Sequence, residues 1–280
     1  MIPSNPVVRK GRPGLLAAVF CLLLFSTLCH PPTHVSVTIH YLGHSAFILQ
    51  FENGISVVTD YGHPNAWKAW GWDSPIHDID NLVPDVMTFS HTHHDDHYDP
   101  DRIPQEAAHI LTEMDSLNIK GLSIRPIRTC ETSLETEDNT SFLFDYNGLR
   151  VLHLGDVQAM IRAVDSAQVR QRITELLPES VDLLLMPIEG TTQFIPQAIS
   201  FLNLLRPKRV IPMHFWSETY KQAFLDHLMD QGDNGTRCQI LRIDGPAYHF
   251  SGKEDVHTMQ VISLDRASYR TSSSQIQENG

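Results

Sequence analysis

From Val35 onward the apolar positions fall into short runs, rich in β-branched and aromatic residues and too brief for helices. Val35 to Tyr41, Ala46 to Phe51 and Ile55 to Thr59 read as strands. Gly43 and the Asn53-Gly54 pair mark the breaks between them. Asn-Gly is a strong hairpin signal because both residues accept positive φ. Val86 to Phe89 is a short buried strand that leads straight into a run of histidines and aspartates. That polar run therefore belongs on a loop at a strand's C-terminal end. Between these strands, residues 63–80 carry Trp67, Trp70 and Trp72 with little periodicity. They read as a loop or short helix near a site entrance.

The second half alternates strands with helical spacing. Strands are expected at Ser123 to Arg128, Ser141 to Tyr146 and Val151 to Leu154, with Asn147-Gly148 turning between the last two. Val164 to Leu177 has helical spacing, Val181 to Pro187 reads as a strand, Pro196 to Leu205 as a helix, and Arg209 to Met213 as a strand. Ser217 to Met229 reads as a helix with Ser217 as N-cap and Glu218 in the first turn. Strands at Gln239 to Ile243 and near His257 to Ile262 close the domain. Strands mixed with helices in this way predict a layered α/β architecture, two sheets face to face with helices outside. Its expected span is residues 35–265, followed by a Ser- and Gln-rich disordered tail.

The N-terminal 29 residues carry a different pattern. Arg9, Lys10 and Arg12 precede an apolar run from Leu15 to Leu28, and Pro31-Pro32 ends any helix. About 15 apolar residues are short for a membrane span and suit a signal-peptide core, so export to a periplasm or the medium is expected. An uncleaved anchor is the competing reading. Cys29 resembles a lipoprotein cleavage site only weakly, because Leu28 before it is not small. Cys130 and Cys238 remain beyond this segment and could pair in an oxidising compartment.

Composition adds two constraints. The 41% apolar content supports a sizeable core. A formal net charge of −12 argues against nucleic acid or an anionic membrane surface as main partner, since phosphate binding needs clustered Lys and Arg. A small molecule is the expected partner. The oligomeric state is not written in the pattern.

The 16 histidines acquire meaning because they cluster. His91 to Asp99 packs four histidines and three aspartates into nine residues. Imidazole and carboxylate hold borderline divalent metals such as zinc. Without a cation, aspartates this dense would repel one another strongly. Two histidines one residue apart at a strand end can reach one ion. A carboxylate and a third histidine after the next bend can reach a second. Paired ions make hydroxide from water at neutral pH and clamp the attacked group.

The segment His91-Thr92-His93-His94-Asp95-Asp96-His97 resembles the His-x-His-x-Asp-His signature of the metallo-β-lactamase superfamily. Tyr41-Leu42-Gly43-His44-Ser45 with Thr59-Asp60, Gly148 to Asp156, and Arg206 to Phe215 resemble the opening strands, the Gly-Asp strand and the terminal ligand strand of one branch. That branch contains L-ascorbate-6-phosphate lactonase and the N-acylphosphatidylethanolamine-hydrolysing phospholipases. The resemblance implies a four-layer αββα sandwich. It implies that His91 and His93 bind a first ion, Asp96 and His97 a second, that Asp156 bridges, and that His214 completes the second site. Asp60 would orient the loop from behind the ligands. Two divalent ions, zinc first among them, would be the cofactors.

Two departures from the pattern stand out. The signature carries one extra residue, which leaves His94 or Asp95 as the insertion and Asp95 as an alternative ligand. The branch also supplies a further first-site histidine after the strand ending near Arg128. Here that place reads Thr129-Cys130-Glu131-Thr132, and no histidine lies between His109 and His153. Glu131 or Cys130 could substitute, or the first site is weakened. His153 is assigned a supporting role rather than ligation. The expected function is a metal-dependent hydrolase using a metal-activated hydroxide on an ester, lactone, amide or phosphodiester. Asp96 and Asp156 would be its catalytic carboxylates, and Asp96 could steer the proton. The alternative is an inactive scaffold relative with an incomplete first site. A membrane-associated lipid hydrolase, with the tryptophans as acyl entrance, is a weaker third.

Overall fold

The computed structural model describes residues 35–267, apart from residues 73, 179, 189–191, 231–236 and 253. The expected export segment 1–29 and the tail from Ser268 lie outside the described residues. Among the described residues no helix is long and apolar enough to cross a membrane.

Two mixed sheets form the fold. The first holds six strands, β1 (Ser36–Gly43), β2 (Ala46–Phe51), β3 (Ser56–Thr59), β4 (Val86–Thr88), β5 (His109–Leu111) and β13 (Ala247–Ser251), in the order β13-β1-β2-β3-β4-β5. The second holds β6 (Leu117–Ile119), β7 (Leu122–Thr129), β8 (Asn139–Tyr146), β9 (Leu149–His153), β10 (Leu183–Pro187), β11 (Arg209–Met213), β12 (Cys238–Arg242) and β14 (Met259–Ser263), in the order β12-β14-β11-β10-β9-β8-β7-β6.

The period of two in the sequence becomes two separate cores. Along β1 to β4, Val37, Ile39, Tyr41, Phe47, Leu49, Val57 and Val86 enter the main core between the sheets. Their neighbours Leu42, Ala46, Ile48, Val58 and Met87 enter a smaller core on the outer face. Side chains alternate across a strand, so β3 and most of β2 present apolar residues to both faces, whereas β1 alternates through Ser36, Thr38 and His40 before Leu42 joins the outer core. Each large side chain fully buried contributes roughly 1.5–3 kcal/mol. In the second sheet β10 lies between parallel partners β9 and β11 and is buried at every position. A parallel strand covered on both faces needs such a run.

The helices are α1 (Gln158–Arg162), α2 (Ala167–Leu176), α3 (Ile195–Leu205) and α4 (Glu218–Asp230). All four bury residues in the main core. In α3 the buried stripe is Ile195, Ala198, Ile199, Leu202 and Leu205, the spacing of one helix face. It stops at Arg206, which turns left-handed (φ 48°) while its N–H bonds Leu202, and Pro207 bars continuation.

The α/β class and the paired sheets match the expectation. Several local readings shift. The helix expected over Val164 to Leu177 is shorter, and the preceding turn forms α1 separately. Strand β13, absent from the sequence reading, pairs antiparallel with β1. Its alternation is confined to Tyr248 and Phe250, of which Phe250 enters the main core, so the apolar signal is short. The smaller core on the outer face of the first sheet is completed by loop residues, Tyr61, Ile76 and Ile79 among them. No α-helix is among the described residues there. Cys130 and Cys238 do not pair: both are free, Cys130 buried and donating toward Leu134 O at 3.7 Å.

Candidate metal centre

The chain just past β3, β4, β7, β9 and β11 supplies Asp60, His91, Glu131, Asp156 and His214. Three residue groups each present ligand atoms within 4.8 Å of one another: His44, Asp96, His97 and His214; His91, His93 and Glu131; and His91, His97 and Asp156. The rings of His91 and His97 lie 4.1 Å apart, those of His91 and His93 4.4 Å. All seven residues expected at the site from the sequence are thus gathered in one place.

Glu131 settles between the histidines of the first group. Its Oε2 is 3.0 Å from His93 Nε2 and 3.5 Å from His91 Nε2. Cys130, the other candidate for that place, points its sulfur away toward Leu134. Burial and the charge of Asp156 push the Glu131 carboxyl up to about 8. Asp156 reaches both sides. It shares the group of His91 and His97, and its Oδ2 is 3.1 Å from His214 Nε2. Its backbone N–H donates to Asn139 Oδ1 at 2.9 Å. Asn139 is fully buried and donates to Leu154 O at 2.8 Å and to Thr129 Oγ1 at 2.6 Å, tying the ends of β7 and β9 together.

The insertion resolves plainly. Asp96 is buried, whereas His94 and Asp95 are exposed. Asp95 therefore does not take the inward position, and its carbonyl instead accepts from His63 N at 2.6 Å. Gly62 packs so closely here that a Cβ would lie 2.3 Å from the Asp96 carbonyl carbon.

Behind the cluster, Asp60 fixes His97. Its Oδ2 accepts from His97 Nδ1 and from Ser90 Oγ, both at 2.8 Å, and its Oδ1 accepts from Ser90 N at 2.7 Å. Burial alone would raise the Asp60 carboxyl. His97, His153 and the Ser90 bonds outweigh it and hold it at about 2. Burial alone would lower His97, but Asp96 and Asp60 raise it to about 9. With Nδ1 committed to Asp60, His97 presents Nε2 to the cluster, the arrangement of ligating histidines generally. His153 uses Nε2 on Ser45 O at 2.9 Å and Nδ1 on Gly155 N at 3.2 Å, so both ring nitrogens serve the backbone. Burial pushes His91 down to about 2 and keeps its nitrogens neutral.

His44 is the participant that sequence reasoning missed as a site residue. It sits in the β1–β2 turn at φ 50°, with Nε2 3.1 Å from Asp96 Oδ2. Burial and the nearby His214 lower it to about 4. Only the motif Gly43-His44-Ser45 hinted at it. Trp216 was likewise not singled out. Its ring lies 4.6 Å from Trp67 and 4.7 Å from Trp72, so these three rings form an aromatic wall that meets the cluster where Trp67 contacts Asp96.

Does a cation fit this donor set? Both ring nitrogens of His91, Nε2 of His97, and one oxygen each of Asp96, Glu131 and Asp156 are buried and make no hydrogen bond. Each such atom costs about 1–3 kcal/mol if nothing compensates it. Buried polar groups are otherwise satisfied in folded proteins. Imidazole nitrogens and carboxylate oxygens converging in this way suit borderline divalent ions.

Two facing mixed sheets with a histidine–carboxylate nest beyond the ends of their strands define a metallo-β-lactamase-type fold with a candidate metal centre. The chain belongs to the beta-lactamase superfamily: residues 38–214 match the family model for the beta-lactamase superfamily domain. Its fold is similar to that of a candidate Zn-dependent hydrolase of the metallo-β-lactamase superfamily from Thermotoga maritima, with TM-score 0.55 and 22% identity over 82% of this chain and 100% of that one. It is also similar to a metallohydrolase from the hyperthermophilic archaeon Ignicoccus hospitalis, with TM-score 0.52 and 20% identity over 79% of this chain and 100% of that one. At these identities the likeness speaks to the fold. A search of curated proteins finds no match.

Proposed function

We propose that this chain is a metal-dependent hydrolase that holds two divalent ions, zinc first among them. The observation that carries the reading is the convergence of buried, hydrogen-bond-free donor atoms from separate segments of the chain. His91, His93 and Glu131 would hold the first ion. Asp96, His97 and His214 would hold the second, and Asp156 would lie between them. When bound, such ions supply Lewis acidity and a lowered pKa for water.

The chain's own residues do the rest. Asp60 and Ser90 lock the His97 ring, and Asn139 locks the turn that carries Asp156. Asp156 and Asp96 are the carboxylates placed to accept a proton from an attacking water. The half-exposed His93, 42% accessible at its side chain, marks the side open to substrate. The substrate is a small molecule with an ester, lactone, amide or phosphodiester bond. Sequence resemblance favours the branch of L-ascorbate-6-phosphate lactonase and the N-acylphosphatidylethanolamine phospholipases. Donor set alone does not choose among these bonds, because one site of this kind hosts many reactions. Glu131 at 3.0 Å from His93 supports a complete first site over a scaffold relative with a weakened one.

The test is turnover of ester, lactone, β-lactam and phosphodiester probes by the metal-loaded chain and its His93→Ala variant. Activity on any of them that falls at least about a hundredfold in the variant supports the reading. Loaded chain without turnover on any probe favours the scaffold.

A further inference from the structure

We propose that His44 and Trp67 are positioning residues for the second ion, gripping one oxygen of Asp96 so that the other becomes its ligand atom. This rests on the two-ion reading above.

The geometry is asymmetric. Asp96 Oδ2 is contacted by His44 Nε2 at 3.1 Å and by Trp67 Nε1 at 2.9 Å. An ionised carboxylate only accepts, so both contacts are donated to it. Asp96 Oδ1 is buried and makes no hydrogen bond. Two donors on one oxygen fix the rotation of the carboxylate about its last side-chain bond and assign the two oxygens different tasks.

The grip is itself anchored. The His44 carbonyl accepts from His214 N at 2.9 Å, and the two rings lie 4.1 Å apart. With Nε2 donating, neutral His44 accepts at Nδ1, and the one Ser74 hydroxyl proton is placed to serve either His44 Nδ1 at 3.3 Å or Phe215 O at 3.1 Å. Trp67 packs on Trp216. The turn after β1, the tryptophan loop and the end of β11 therefore meet at a single carboxylate oxygen. His44 also falls within ligand reach of Asp96, His97 and His214, so it competes for the role of ligand. Against that, both of its ring nitrogens are engaged, one by Asp96 and one by Ser74.

The experiment titrates Zn2+ into the metal-free chain against a chromophoric chelator and resolves the two stepwise affinities. The variants are Trp67→Phe, His44→Ala and His44→Gln, with Trp72→Phe as a control that keeps the aromatic wall and does not touch Asp96. Outer donors of this kind change metal affinity about 10–100-fold. Trp67→Phe and His44→Ala should weaken the second ion by that factor and leave the first within about threefold. His44→Gln, which keeps an N–H donor, should restore most of the loss, and Trp72→Phe should match the parent. Melting of the metal-free Trp67→Phe chain should stay at the parent value, separating positioning from folding. Second-ion affinity unchanged in Trp67→Phe overturns the proposal. So does a second ion abolished by His44→Gln as fully as by His44→Ala while Trp67→Phe has no effect, which would make His44 a ligand. A parent chain that takes no second ion overturns the two-ion reading as well, and its own titration shows this.

Discussion

Glu131 places a carboxylate oxygen 3.0 Å from His93 Nε2, in the stretch where Cys130 was the other candidate ligand. It follows β7, whose last residue is Thr129, and Cys130 directly before it turns into the core. The bend at Glu131 brings its carboxylate to His91 and His93 while the Cys130 thiol stays buried.

Replacing that carboxylate should cost the first ion selectively. Glu131→Gln keeps the size and loses the charge. It should lower the metal content of the saturated chain by one ion, with the affinity of the remaining ion nearly unchanged. Glu131→His should keep two. Elemental analysis after gel filtration reads both.

Proton linkage gives a second prediction. Glu131 is raised to about 8 and His97 to about 9, so at pH 7 both carry a proton in the metal-free chain. Metal ligands must be deprotonated, so loading at pH 7 should release about two protons per chain. Calorimetry in buffers of different ionisation enthalpy measures the number, and Glu131→Gln should release about one fewer. The sign for folding follows. A raised Glu131 stabilises the metal-free chain below the ordinary carboxylate pKa of 4.5, and that contribution is lost as pH rises through about 8. Asp60 is depressed, so its contribution is present above 3.8 and lost as pH falls toward about 2. His97, raised from 6.5 to about 9, adds its own loss as pH rises through about 9, so Glu131→Gln should remove the part of the metal-free melting-temperature decline that falls between about pH 5 and 8 and keep the His97 part.

Asp60 is fully buried against His97 and Ser90. Asp60→Ala strips the buried imidazole of its partner, and breaking such a pair costs about 3–5 kcal/mol. Chemical denaturation of the metal-free chain should show that loss. Asp60→Asn should lose less, because the amide oxygen still accepts from His97 or Ser90.

Asn139 joins the Leu154 carbonyl, the Thr129 hydroxyl and the Asp156 N–H. Asn139→Ala leaves the buried Asp156 N–H without its acceptor, at about 1–3 kcal/mol, while the Leu154 carbonyl still accepts from Ser141 Oγ at 2.8 Å. The expected result is a drop in melting temperature of the metal-free chain together with weaker binding of both ions, because Asp156 serves both. A surface-like neutral effect would mean that the turn holds Asp156 without it.

Much of this architecture was legible before any coordinates. An apolar run such as Ala46 to Leu49 announces a strand buried on both faces, and the density of His91 to Asp99 is hard to tolerate without a cation. Other parts were not. Strand β13 offers only Tyr248 and Phe250 as alternating apolar positions, too short a signal to announce a strand, and it pairs along the edge that β1 presents. The choice of Asp96 over Asp95 depends on which side chain the bend after His94 turns inward, which Gly62 permits by letting two backbones touch. His44 lies 52 residues from Asp96 in the chain, and no spacing rule connects a turn histidine to a distant carboxylate. Long-range pairing of that kind belongs to topology rather than to local pattern.

Two divalent ions held by these side chains, with water activated between them, would show in elemental analysis of the purified full chain, loaded with Zn2+ and desalted, beside His93→Ala and His97→Ala. Close to two equivalents in the parent, one fewer in each variant, and hydrolysis lost with them is the predicted outcome. A parent that retains no zinc, or retains as much in both variants as without them, contradicts it.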